Sequence, residues 1–133
     1  MSNRERALEE VVNTAAKDSR LLAVVLFGSQ ARGEALSGSD VDLCLILDPQ
    51  RVDADTAATV RLEYLEGTPA PFDVQVYQSL PLYVRRRVLA DGKVLFCRDE
   101  DALYAVAYRT IRAFEDFRPR YQAYLDEVAR AGS

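Results

Sequence analysis

The chain has 133 residues, of which 49% are hydrophobic and 29% charged, with six glycines and five prolines. This is an ordinary globular composition that excludes collagen-like, low-complexity and strongly disordered classes and predicts one compact domain over 1–133. With no histidine, Ser-His-Asp and Cys-His catalysis and most zinc hydrolases are excluded, so acid–base or metal chemistry must use carboxylates. Seventeen basic against 21 acidic residues give a net charge of −4, which argues against broad electrostatic binding of nucleic acid. No run of about 18 apolar residues occurs and the polar start MSNRERALEE lacks a signal-peptide core, so a cytoplasmic, non-membrane protein is expected. Cys44 and Cys97 are not spaced as a metal pair, and both read as reduced core residues.

In chain order, Ser2 and Glu5 have capping-box spacing, and Leu8, Val11, Val12 and Ala15 share a face, predicting a helix that ends near Lys17 to Ser19. Leu21 to Phe27 is a continuous apolar run closed by Gly28, as expected of a strand buried on both faces. Gly28 to Ser39 reads as a loop with a helical turn around Ser29 to Arg32, and Val41 to Leu47 as a second strand. Asp53 to Glu66 is read as a helix burying Ala54, Ala57, Ala58, Leu62 and Leu65, closed by Gly67. Phe72 to Tyr77 alternates, with Asp73 on its polar side. Tyr83 to Ala90 is a short helix and Val94 to Cys97 a fourth strand. The last third carries Leu103, Val106, Thr110, Ile111, Phe114 and Phe117 at helical spacing, with a kink or break expected at Pro119. Tyr104, Tyr108, Tyr121 and Tyr124 are read as packing residues, and Arg85-Arg86-Arg87 as a solvated helix face. Strands interleaved with helices make an α/β unit.

The chemistry is concentrated in Gly28-Ser29-Gln30-Ala31-Arg32-Gly33, followed five residues later by Ser39-Asp40-Val41-Asp42-Leu43. Residues i and i+2 of an extended chain project to one side, so Asp40 and Asp42 form a carboxylate pair about 7 Å apart at their α-carbons. Two like charges on one face repel unless a cation intervenes, and hard oxygen ligands suit Mg²⁺. The Gly-Ser step brings backbone N–H groups close to a phosphate, and Arg32 adds a forked cation. Placing the Asp73 strand beside Val41 to Leu47 would add a third carboxylate, enough for two metal ions in nucleotidyl transfer. Taken singly, each element has an ordinary explanation: a Gly-Ser turn, an aspartate closing a loop, a solvated edge residue. Asp42 is the hardest to explain away, because it runs straight into Leu-Cys-Leu-Ile-Leu and needs a partner if buried.

The GSxxRG–x5–SDxDL pattern resembles the signature of the DNA-polymerase-β-like nucleotidyltransferase superfamily, and within it the minimal, MNT antitoxin-like branch. The resemblance implies a single-domain α/β (α+β) fold: a mixed sheet of about four strands flanked by helices, with a long C-terminal helix. It also implies that Asp40 and Asp42 bind two Mg²⁺ ions, that Asp73 completes one site and helps activate the attacking hydroxyl, and that Gly28 and Ser29 hold the β,γ-phosphates of ATP. Arg32 and Ser39 match further nucleotide-binding positions. The implied reaction transfers AMP, or another nucleoside monophosphate, to a hydroxyl, typically a tyrosine of a HEPN-domain toxin that the protein neutralises. An aminoglycoside-type small-molecule transferase and a non-catalytic antitoxin acting by complex formation are the alternatives, and homo- or hetero-oligomeric assembly is compatible with each.

Overall fold

The computed structural model describes residues 2–28, 41–69 and 72–132. The element order is α1 (Asn3–Ala16), β1 (Leu21–Phe27), β2 (Val41–Leu47), α2 (Ala54–Glu66), β3 (Phe72–Val76), α3 (Leu82–Asp91), β4 (Lys93–Cys97) and α4 (Glu100–Ala131). The strands form a mixed sheet in the order β3-β2-β1-β4. β1 runs antiparallel to β2 and β4, while β2 and β3, connected through α2, are parallel. The fold class is therefore the one expected.

Period-two alternation divides the core between two helical layers. Leu21, Val24, Leu26, Val41, Leu43, Leu45, Leu47, Phe72, Val74 and Val76 pack with Val11 and Ala15 of α1 and Val60 and Tyr64 of α2. Cys44, Ile46, Ala23 and Val25 turn to the other face, against Val88 of α3 and Val106 of α4. Each fully buried Val, Leu or Ile contributes about 1.5–3 kcal/mol, so both covered faces are strongly specified. Because helices cover both faces of β1 and β2, these strands are apolar throughout, which is why they stood out in the sequence.

Sequence-encoded caps start the helices. The Glu5 amide donates to Ser2 Oγ at 3.1 Å, the Thr56 amide to Asp53 Oδ1 at 2.7 Å, and the Ala102 amide to Asp99 Oδ1 at 3.2 Å. α1 has no basic residue in its last turn. Arg98, just past β4, serves instead, its Nη2 donating to the carbonyls of Ala15, Ala16 and Asp18 and its Nε to Leu21.

Several expectations are corrected. α2 buries Ala57, Val60 and Tyr64, while Leu62 is 56% exposed, because the phenol of Tyr64 turns inward to donate to Asp18 at 2.9 Å. α4 runs through Pro119 as one helix. A helix nucleated and capped upstream can absorb one missing hydrogen bond where good helix formers follow. Tyr104, Tyr108 and Tyr124 are largely exposed, and Tyr121 stacks on Phe117 of the same helix with ring centroids 5.5 Å apart. Phe72–Val76 is the strand, and Tyr77 begins a 3-10 turn that buries it. The turn read around Ser29 to Arg32 lies outside the described residues. Cys44 and Cys97 are free thiols, as expected. Among the described residues no helix is long and apolar enough to cross a membrane.

Asp18 fastens the α1–β1 corner. Arg20 donates from Nε at 2.9 Å and from Nη2 at 2.7 Å, and these bonds hold the Asp18 carboxyl down at about 2. A carboxylate whose folded pKa lies below its unfolded value stabilises above about pH 4 and loses that contribution as pH falls towards 2. After allowance for solvent screening the contribution is on the order of 1 kcal/mol. Asp18→Asn should lower stability at neutral pH by that amount and flatten the acid limb between pH 4 and 2. Urea titrations of both proteins across that range check it, and parallel pH profiles would refute the assignment.

Candidate active site

The candidate site lies at the end of the sheet where β1 finishes and β2 and β3 begin. In the parallel ladder Asp42 stands opposite Asp73, with Val41 opposite Phe72 and Leu43 opposite Val74. Their apolar neighbours turn into the α1/α2 layer, which leaves the two aspartates on the other face, each half-buried. Adjacent strands lie about 4.8 Å apart, so a sheet register rather than a flexible loop sets the spacing of these carboxylates. In the antiparallel direction Asp42 is opposite Phe27, and the next residue, Gly28, has φ of +80°. A Cβ on Gly28 would lie 2.5 Å from Asp42 Oδ2, so only glycine lets the backbone approach the carboxylate this closely.

Asp73 is oriented by its neighbours. Gln75 Nε2 donates to its Oδ2 at 3.2 Å, and Arg61 Nη2 lies 3.9 Å from its Oδ1 while Arg61 Nε donates to the Val74 carbonyl at 2.9 Å. Periodicity in the sequence carried no sign of these two orienting residues, because both contacts depend on how α2 and β3 pack. Two strand positions beyond Asp42, burial pushes the Cys44 thiol up to about 12, so it stays protonated and offers neither nucleophile nor thiolate ligand.

Of the residues expected at the site, Gly28, Asp42 and Asp73 converge. Asp40, Ser29, Arg32 and Ser39 lie outside the described residues. Among the described residues no group of three potential metal ligands is assembled. The two carboxylates, paired across the ladder, nonetheless fit a hard divalent cation in donor type, and such ions are commonly held by one or two carboxylates plus substrate phosphates. Beside Gly28 a cavity of about 170 Å³ is lined by Phe27, Val84, Arg87 and Asp91. Arg87 thus lines the cavity beside Gly28, whereas Arg86 stacks over Phe114 with its guanidinium 4.8 Å from the ring centroid. Reading the three arginines as one solvated face missed this division.

Residues 9–101 match the family model described as polymerase beta, nucleotidyltransferase. The chain belongs to that family. This nucleotidyltransferase is 30% identical, over 102 residues, to a Methanocaldococcus jannaschii chain that carries the provisional name protein adenylyltransferase MJ1547; the match covers 77% of this chain and 76% of that one. Its fold also matches a toxin–antitoxin crystal structure with AMP-PNP at a TM-score of 0.71 and 21% identity, covering 94% of this chain and 98% of that one. A third match is to the Shewanella oneidensis complex of tri-AMPylated HEPN toxin with MNT antitoxin, with a TM-score of 0.69, 17% identity and coverage of 94% and 98%.

Proposed function

We propose that this nucleotidyltransferase is a Mg²⁺-dependent protein adenylyltransferase that transfers AMP from ATP to a tyrosine of a HEPN-domain toxin and thereby acts as its cytoplasmic antitoxin. The observation that carries the reading is the register of Asp42 with Asp73 beside Gly28, because it pairs two carboxylates against the glycine that follows β1. The relative named as a protein adenylyltransferase supports the protein acceptor. The fold shared with chains of two toxin–antitoxin structures, one with AMP-PNP and one of an AMPylated HEPN toxin in complex with MNT antitoxin, supports the nucleotide and the partner.

In this reading Asp40, Asp42 and Asp73 would hold two Mg²⁺ ions, which supply charge neutralisation at the triphosphate. Gly28 and Ser29 cradle the β- and γ-phosphates through backbone N–H groups, with Arg32 and Ser39 adding contacts. Asp73 takes the proton of the acceptor hydroxyl. The hydroxyl oxygen forms its bond to the α-phosphorus as the bond to the bridging oxygen breaks, and pyrophosphate leaves with that electron pair. Gln75 and Arg61 keep the Asp73 carboxylate aimed.

The test is incubation with α-labelled ATP, Mg²⁺ and a HEPN-domain protein encoded beside it. Label should appear on a tyrosine of the partner, and chelating the metal should abolish it. Absence of label with every nucleoside triphosphate would sink the proposal. A second reading, neutralisation by complex formation alone, is favoured by the exposed Phe117, Tyr121, Tyr124, Leu125 and Val128 of α4. An Asp40→Ala, Asp42→Ala protein that neutralises the partner fully would decide for it.

A further inference from the structure

At the opposite end of the sheet, past the C-terminal ends of β2 and β3, a second cavity of about 330 Å³ opens between the 3-10 turns Pro49–Arg51 and Tyr77–Ser79 and the helices α3 and α4. Its wall combines apolar Pro49, Val52, Val106 and Ala113 with Tyr77, Gln78, Arg85, Arg109 and Thr110. The separation from the acid pair follows from the strands: Asp42 and Asp73 start β2 and β3, whereas Pro49 and Tyr77 follow their ends.

The polar groups on this wall sort by what they have left to give. Gln78 is tied to the backbone, its Oε1 accepting from the Leu47 amide at 3.0 Å and its Nε2 donating to the Leu47 carbonyl at 2.9 Å, which leaves its second N–H to donate. The hydroxyls of Tyr77 and Thr110, both buried, bond to each other, so of their two protons one is used and one remains to donate. Burial raises the Tyr77 phenol, keeping it protonated. Arg85 Nε is sealed from solvent and has no hydrogen-bond partner among the described residues, a state that ordinarily costs folding free energy. Arg109 adds a second guanidinium, and no carboxylate lines the cavity among the described residues. In a chain with a net charge of −4, a cavity that presents two permanent cations beside further O–H and N–H donors is matched by an acceptor with negative charge.

We propose that this cavity is a binding site for a small oxyanion ligand, a phosphate or carboxylate compound, whose charged group accepts from Arg85 and Arg109 while its body lies against Val52, Val106 and Ala113. Its size falls within the range typical of small-molecule sites. The ligand would engage the guanidinium of Arg85, the lining residue on α3, and tie α3 to the first half of α4.

The experiment measures binding of inorganic phosphate, AMP and citrate by calorimetry and thermal shift to the full chain, in EDTA so that no divalent metal recruits phosphate to the acid pair. At least one of the three should bind and raise the melting temperature, and the preference for phosphate or citrate identifies the charged group. Arg85→Met should weaken that binding by about tenfold or more, as expected for loss of a charge-assisted hydrogen bond, while leaving the ligand-free protein as stable or more so. Arg109→Gln, at an exposed position, should weaken it about threefold or more, in line with a less enclosed contact, and serves as the readout if Arg85→Met does not fold. No uptake of any of the three up to tens of millimolar, or equal affinity in wild type and both variants, overturns the proposal.

Discussion

Asp42→Asn is expected to reduce nucleotidyl transfer by about 10³-fold or more while leaving the fold intact. The substitution keeps the shape of a side chain that stands opposite Asp73 and under Gly28, so the register of β1, β2 and β3 has no steric reason to change. It removes one of the charges proposed to hold the metal ions, and with it the position of the α-phosphate relative to the acceptor hydroxyl. It also relieves repulsion between two carboxylates on neighbouring strands, so the melting temperature should stay level or rise. Pyrophosphate release and thermal unfolding measured on the same preparation separate the two effects. Activity within tenfold of wild type would remove Asp42 from the proposed chemistry, and lost activity with lost structure would assign it to the fold.

Gly28→Ala should damage stability and activity together. The residue has φ of +80°, a left-handed conformation that costs an L-residue about 1–2 kcal/mol, equivalent to a fall of roughly 3–8 °C in melting temperature for a domain of this size. In addition, the new methyl would sit 2.5 Å from Asp42 Oδ2, and a carboxylate displaced by even a fraction of an ångström loses its alignment. A loss of about 10²-fold in kcat is expected even at saturating ATP. Gly67→Ala is the internal control, because the added Cβ there meets nothing closer than 3.5 Å and the φ of −82° is ordinary. If Gly28→Ala behaves like Gly67→Ala in both assays, the close approach of backbone to carboxylate has no functional weight.

The sequence-based reading succeeded where one segment carries its own physical signal. Leu21–Phe27 and Val41–Leu47 are continuous apolar runs because helices cover both their faces, and Ser2 and Asp53 mark helix starts through their own side-chain oxygens. It erred where two faces of one segment were nearly equivalent. Leu62 and Tyr64 are both credible core residues of α2, and what buries Tyr64 is a hydrogen-bond acceptor, Asp18, 46 residues away. The aromatic stripe of α4 reads as packing because helical spacing reports amphipathicity and is silent on whether a partner surface lies within the chain.

The catalytic reading divides along the same line. That Asp42 projects from the face opposite Val41 and Leu43 follows from the period of an extended backbone and needed no structure. That Asp73 stands beside it required two strands to become parallel and to pair at one register through the crossover helix α2. A shift of that ladder by one residue would turn Asp73 into the apolar layer, so the register is held by Phe72, Val74 and Val76 seeking burial against α1 and α2. Likewise Arg85, Arg86 and Arg87 are indistinguishable as letters. Only the packing of α3 between the sheet and α4 sends one to the cavity against α4, one onto Phe114 and one to the cavity beside Gly28. Local chemistry is written in neighbouring residues, but convergence of distant ones is a property of the packed core.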